Sequence, residues 1–182
     1  MEKENYMHAL SRHCELPIGF SNYLEIALEE FRFDRDQILE QKQLTQLYLP
    51  YFSQGLAMLC TENLKTKAIM AIDFYGEGDF LPSLPVLVGE TQQLKILFLE
   101  KTRLLALSEK HFTFLPKIFP STSLLYQKIG TMPITQQLKK EVISRIKPAH
   151  RRQSAFEQWR PKLTGRIPEN YLKGYLNLRL DK

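Results

Sequence analysis

Residues 20–31 read FSNYLEIALEEF, with apolar groups at Leu24, Ala27, Leu28 and Phe31. This spacing predicts one face of a helix, with Ser21 as its N-cap. From about residue 33 the apolar runs shorten. Leu47, Leu49 and Tyr51 alternate with other residues before a Ser-Gln-Gly turn at 53–55. Next come LAMLC, a polar stretch TENLKTK, and AIMAIDFY. Two short strands around a polar turn predict a hairpin. Gly76 and Gly78 interrupt the chain again, and 94–99 (LKILFL) and 103–107 (RLLAL) are two further strand candidates. Many short strands at regular spacing predict a β-sandwich or roll.

After Ser108 the strand pattern stops. EKHFTFLPKIF predicts a short helix that Pro120 ends. Residues 122–147 carry Leu124, Leu125, Ile129, Met132, Leu138, Val142 and Ile146 at helical spacing. Pro133 lies inside that stretch. A proline there removes a hydrogen bond and crowds the preceding turn, so it kinks the helix or opens a new one; a kink is the preferred expectation. HRRQSAFEQW is another helix candidate. Pro168 is placed to open a last short helix through about Tyr175, and Asn177 suits a left-handed turn after it. The predicted order is helix, β-roll, long helix, small helical tail.

Charge sharpens the tail. Residues 139–182 hold 12 Lys/Arg against 4 Asp/Glu, a net of +8, whereas residues 1–138 hold 13 against 16, a net of −3. A basic tail on a mildly acidic body is what a nucleic-acid-facing end looks like; a solvated basic helix surface explains the same numbers. With 43% hydrophobic and 25% charged residues, the composition is that of an ordinary globular protein. No apolar run reaches the roughly 18 residues of a membrane span. The N-terminus has no basic stretch followed by an apolar core, so no secretion signal is read there. Cys14 and Cys60 have no metal or redox spacing and read as buried thiols. These features predict a cytoplasmic protein with no membrane partner.

Three stretches resemble the Crp/Fnr family of bacterial transcription regulators. Phe52-Ser53-Gln54-Gly55-Leu56 resembles that family's strand and turn of the form Phe-Ile-x-x-Gly-Leu/Val. Tyr75-Gly76-Glu77-Gly78-Asp79-Phe80 resembles its Gly-Asp-Phe turn before the ligand cassette. Arg166-Ile167-Pro168 with Tyr171-Leu172 and Tyr175-Leu176 resembles the first helix of its helix-turn-helix. The likeness covers about residues 22–180 and rests on the order and spacing of the motifs. It implies an α+β fold: a double-stranded β-helix (a jelly-roll-like β-roll) flanked by helices, a long dimer helix, and a small C-terminal helical remnant. The implied units are an N-terminal helix with a cyclic-nucleotide-binding-like roll at 1–120, a connecting helix at 121–147, and a truncated DNA-binding region at 148–182.

The family's cyclic-nucleotide cassette has a Gly-Glu pair just after the Gly-Asp-Phe turn and an Arg-Ser/Thr pair some ten residues later. A cyclic phosphate in a half-buried pocket needs a fixed cation with forked donors, which Arg supplies. In this chain Gly76-Glu77 comes before Gly78-Asp79-Phe80, so the Gly-Glu slot falls on Pro82-Ser83. The Arg slot falls on Gln92 or Gln93, with Lys95 the nearest cation, on the same strand face as Gln93. These five residues are the ligand-pocket candidates, and the roll is expected not to bind cAMP in the family manner. Strand-edge polarity is the plain alternative for the two glutamines. In the tail, Arg151, Arg152, Arg166, Lys173 and Arg179 are candidate DNA-phosphate contacts, with exposed structural charge as the alternative. Only Leu178 to Lys182 follow the expected turn, too few for the helix that reads bases.

Enzyme chemistry is not expected. His8, His13, His111 and His150 are scattered, so no metal site is read, and no nucleophile elbow or phosphate-binding loop stands out. Asp34 and Asp36 read as one face of a solvated strand entrance. No cofactor is expected. Two functions remain: a transcription regulator with a diverged sensor, or a dimeric sensor or interaction module that has lost DNA reading. Expected partners are a second copy through Leu125, Ile129, Met132, Leu138 and Val142, DNA, and a small-molecule effector yet to be identified.

Overall fold

The first predicted helix is cut short by a strand. In a computed structural model of the chain, which describes residues 2–13, 15–81 and 92–178 apart from the side chains of Gln41, Gln92 and Pro133, helix α2 (Phe20–Ala27) gives way at Leu28 to β1 (Leu28–Phe33). Helical spacing ran to Phe31, but tertiary pairing overrides it: β1 lies antiparallel to β7 (Thr102–Leu107), with Leu28 opposite Leu107 and Phe31 opposite Leu104. A helix the sequence reading did not place, α1 (Glu2–Ser11), precedes it and buries Tyr6, Ala9 and Leu10.

The remaining strands form two antiparallel sheets. After β2 (Ile38–Glu40) and the one-turn α3 (Gln41–Leu44) come β3 (Tyr48–Gln54), β4 (Leu56–Asn63), β5 (Ile69–Gly76) and β6 (Gln92–Phe98). The strand orders are β1-β7-β3 and β2-β6-β4-β5. The predicted hairpin is β4 with β5, running from Leu56 opposite Gly76 to Glu62 opposite Ile69. Pro50 sits in β3, an edge strand of its sheet, where a missing N–H costs no ladder bond. Asp34 and Asp36 are in a turn rather than on a strand face, and Asp36 is left-handed at φ 64°.

The sheets face each other across an apolar interior of Phe33, Phe52, Ala57, Leu59, Tyr75, Leu94, Ile96, Phe98 and Leu104. Phe33 stacks on Phe98 with centroids 4.2 Å apart. Outside the three-stranded sheet, Tyr6, Leu10, Phe20, Leu24, Tyr51, Phe80, Leu105 and Leu107 pack with Leu115 of α4 (Glu109–Ile118) and with Leu125 and Ile129 of α5 (Thr122–Ser144).

α5 spans Pro133 as one helix, so no new helix starts there. Its apolar stripe divides. Leu125 and Ile129 are buried and Met132 packs against them, whereas Leu124, Ile134, Leu138 and Val142 are 60–66% exposed. At 100° per residue those four share an arc of about 80°.

The tail consists of α6 (Ala149–Trp159), a 3-10 turn (Pro161–Leu163) and α7 (Glu169–Tyr175). It packs on the outside of the four-stranded sheet. Phe156, Leu163, Ile167, Tyr175 and Leu176, with Ile143, cover Leu56, Met58, Cys60, Phe74 and Leu99. β4 is therefore buried on both faces, which accounts for its unbroken apolar run LAMLC. α7 begins after Pro168, and Asn177 is left-handed at φ 53°, as the sequence predicts.

Candidate functional site

The turn between β5 and the position of the ligand cassette is bonded on every side. Gly78 takes φ +96°, a conformation glycine adopts without strain. The Asp79 amide donates to the Gly76 carbonyl at 3.0 Å, and the Gly76 amide donates to Asp79 Oδ2 at 2.9 Å. Toward β3, the Phe52 amide donates to Asp79 O at 2.9 Å, the Gly78 amide to Phe52 O at 3.0 Å, and the Leu81 amide to Pro50 O at 2.7 Å.

The same turn holds two carboxylates that meet arginines of the tail. Arg160 Nη2 donates to Asp79 Oδ2 at 2.6 Å and to the Phe74 carbonyl at 2.9 Å. Arg166 is shared between two acids. Nη1 and Nη2 donate to Glu77 Oε2 and Oε1 at 2.7 and 3.1 Å, and Nε and Nη2 donate to Glu100 Oε1 and Oε2 at 2.9 and 2.5 Å. Two forked pairs on one guanidinium fix its plane. Glu77 Oε1 also accepts the Gly55 amide at 2.9 Å. Burial works to raise the Glu77 pKa, but Arg166 and the backbone N–H bonds outweigh it and hold the carboxyl below its ordinary value.

Deeper in the interface, Tyr175 Oη donates to Asp73 Oδ1 at 3.1 Å, and Lys140 Nζ donates to the Ile72 carbonyl at 3.0 Å while lying 4.3 Å from the Tyr175 ring centroid. Burial raises the Asp73 pKa against the pull of Arg160, and burial lowers that of Lys140. The acidic body and the basic tail thus neutralise each other internally.

The predicted site residues fall in different places. Pro82, Ser83 and Arg179 lie outside the described residues, as does Cys14. Gln92 opens β6, and Gln93 stands opposite Glu62 of β4. Lys95 shares the face of Gln93. The interior residues of β6 are its neighbours Leu94 and Ile96, so Lys95 points out of the roll, where it forms an ion pair with Glu62. That hydrogen bond raises the pKa of Lys95 and lowers that of Glu62. Lys95 is committed there and is no substitute for a phosphate-gripping arginine inside the roll. Cys60 is buried, and burial pushes its thiol up to about 11.

Among the tail cations, Arg151 is exposed, and Lys173 pairs with Glu169 one turn away at 2.7 Å. Arg152 is a correction. It is 3% exposed and donates to the carbonyls of Ile146 and Asn177 at 3.2 and 3.0 Å, so it braces the tail instead of facing a phosphate. Arg166 is likewise engaged by two carboxylates. The sequence reading quoted Glu77, Asp79 and Tyr175 only as parts of family motifs, without these contacts, and gave no role to Asp73, Glu100 or Arg160. The opposite net charges of body and tail, read there as a nucleic-acid-facing end or a solvated surface, were the one signal for the acid–arginine pairs.

No protein-family model matches the chain, and no curated protein does. Solved structures do. FixK2 from Bradyrhizobium japonicum is similar with a TM-score of 0.64 at 14% identity, over 83% of this chain and 78% of its own. A transcriptional regulator of the Crp/Fnr family from Eubacterium rectale follows at 0.60 and 9%, over 82% and 70%. CprK complexed with OCPA reaches 0.56 and 12%, over 86% and 74%. The chain has the fold of the Crp/Fnr regulators. Within that fold, β1–β7 form the roll and α5 the long helix that follows it. Among the described residues, no helix is long and apolar enough to cross a membrane.

Proposed function

We propose that this chain acts as a Crp/Fnr-type transcription regulator whose roll does not take cAMP in the usual way. The observation that carries the reading is the succession of roll, long helix and tail on one Crp/Fnr fold, with α7 opened by Pro168 where that family's first helix-turn-helix element is expected. The cAMP part rests on sequence: Pro82-Ser83 and Gln92-Gln93 stand where a carboxylate and an arginine are needed. A small-molecule effector is supported by the CprK neighbour, whose structure is a complex with OCPA. A second copy is the partner for the exposed face of α5, where Leu138 and Val142 border a groove that also contains Ala155 and Trp159.

One observation favours the alternative, a dimeric sensor or interaction module without sequence-specific DNA binding. Arg152, Arg160 and Arg166 are all turned inward, which leaves fewer tail cations to meet phosphates. A gel-shift selection from randomised duplex DNA, with excess nonspecific competitor, separates the two. The regulator reading expects competitor-resistant retardation that selects a two-fold symmetric site. Retardation that vanishes with salt and competitor, or none, assigns the alternative. Calorimetry with cAMP is expected to give no heat at micromolar protein. Micromolar binding removed by a substitution at Gln92, which shares its strand face with Leu94 and Ile96, would overturn that part.

A further inference from the structure

The seven residues Tyr75–Leu81 reach all three apolar clusters of the described residues. Tyr75 and Leu81 belong to the interior of the roll. Phe80 belongs to the helix-side cluster and packs against Tyr6 and Tyr51 at 5.3 and 5.1 Å between centroids. Gly76 lies so close to the tail that a Cβ there would meet Leu163 Cδ2 at 2.6 Å. Glu77 and Asp79 hold Arg166 and Arg160. The turn is therefore one place where movements of the roll interior, the helix-side cluster and the tail meet.

We propose that the turn Gly76–Phe80 and the tail segment Arg160–Leu176 are energetically coupled through Arg160 and Arg166, so that repositioning the turn loosens the tail on the four-stranded sheet. Three features support this. The two carboxylates sit on the three-residue stretch Glu77–Asp79, so a single backbone movement disturbs both arginine contacts. The Glu77–Arg166 contact is forked, and forked pairing tolerates little rotation. The side chains of Glu77 and Arg166 are 34% and 27% exposed, so when that pair parts water reaches both charges, whereas Arg160, 11% exposed, keeps its bond to the Phe74 carbonyl. The coupling is reciprocal by thermodynamic necessity: what loosens the tail also loosens the turn. It places a contact from sensor to tail outside the long helix, and it stands whether or not the chain binds DNA.

Native-state hydrogen exchange on the full chain tests it with two variants. Glu77→Gln, altered in the turn, is expected to raise exchange about tenfold at the tail amides of Leu163, Arg166 and Leu176. Arg166→Met, altered in the tail, is expected to do the same at the turn amides of Gly76, Gly78 and Asp79. The amides of Leu105 and Leu107 in β7 serve as the reference and are expected to stay unchanged. If each variant changes only the segment that carries the substitution, the coupling is overturned. If Arg166→Met also raises exchange in β7, the decision passes to Arg166→Lys, which keeps the charge and removes the fork. Added exchange at Gly76 and Asp79 then supports the coupling, and none there refutes it.

Discussion

Tyr175 and Asp73 stand 102 positions apart in sequence and meet through a 3.1 Å hydrogen bond in which the phenol donates to the carboxyl. Asp73 is buried, and burial lifts its pKa above the ordinary value of about 3.9 despite the nearby Arg160 charge. Its folded-state pKa is therefore the higher one, and the native state binds the proton more tightly. The resulting stability is in place below the unfolded pKa and is lost as pH rises through the folded one. Asp73→Asn keeps an acceptor for Tyr175 and removes the titration. The wild-type melting temperature is expected to fall relative to Asp73→Asn as pH rises from about 4 toward neutrality. Thermal unfolding across that range checks the sign, and parallel curves for the two proteins contradict it.

Arg151 and Arg152 are neighbours with opposite environments. Truncating the exposed Arg151 to Ala is expected to change stability by no more than about 0.5 kcal/mol. Arg152→Ala removes a buried cation from the carbonyls of Ile146 and Asn177 and is expected to cost about 2–4 kcal/mol. Urea unfolding of both variants measures the contrast.

Gly55 has φ +95°, and a Cβ there would lie 2.4 Å from Thr102 Oγ1 and 2.6 Å from the Lys101 carbonyl oxygen. Gly19 has φ +79° but no atom within 4 Å of such a Cβ. Gly19→Ala is expected to cost about 1 kcal/mol, the backbone term alone. Gly55→Ala adds a clash with backbone and is expected to cost about 3 kcal/mol or more. The same denaturation assay separates them.

If a second copy covers the outer face of α5, a charge placed there abolishes assembly. Leu138→Asp with Val142→Asp is expected to convert a two-chain mass to a one-chain mass in light scattering, with the helical circular dichroism retained. Wild-type protein that already scatters as one chain removes the dimer.

Much of the roll was legible because its strands are short and bounded by turn residues. The hairpin of β4 and β5, the turn at Gly78 and the left-handed Asn177 follow from local chemistry. The end of α2 did not, because Leu28–Phe31 fits both helix and strand and only pairing with β7 decides it. The stripe of α5 was read as one surface, yet Leu125 and Ile129 answer to the roll while Leu138 and Val142 face outward. The tail's position on the sheet depends on distant upstream partners, such as Asp79, 81 residues before Arg160, and Asp73, 102 residues before Tyr175. No window of sequence contains both members of such a pair. A trace of it was present in LAMLC, since a strand with apolar residues at odd and even positions alike needs cover on both faces.

That two-sided strand has a consequence for synthesis. β4 and β5 leave the ribosome 80 to 120 residues ahead of Phe156–Leu176, the side chains that shield them. Until then the nascent chain presents Leu56, Met58 and Phe74 bare to solvent, an adhesive plane of the kind chaperones attend to. A chain stopped before Phe156 would keep that plane uncovered for good and is expected in the insoluble fraction, where the longer chain is not.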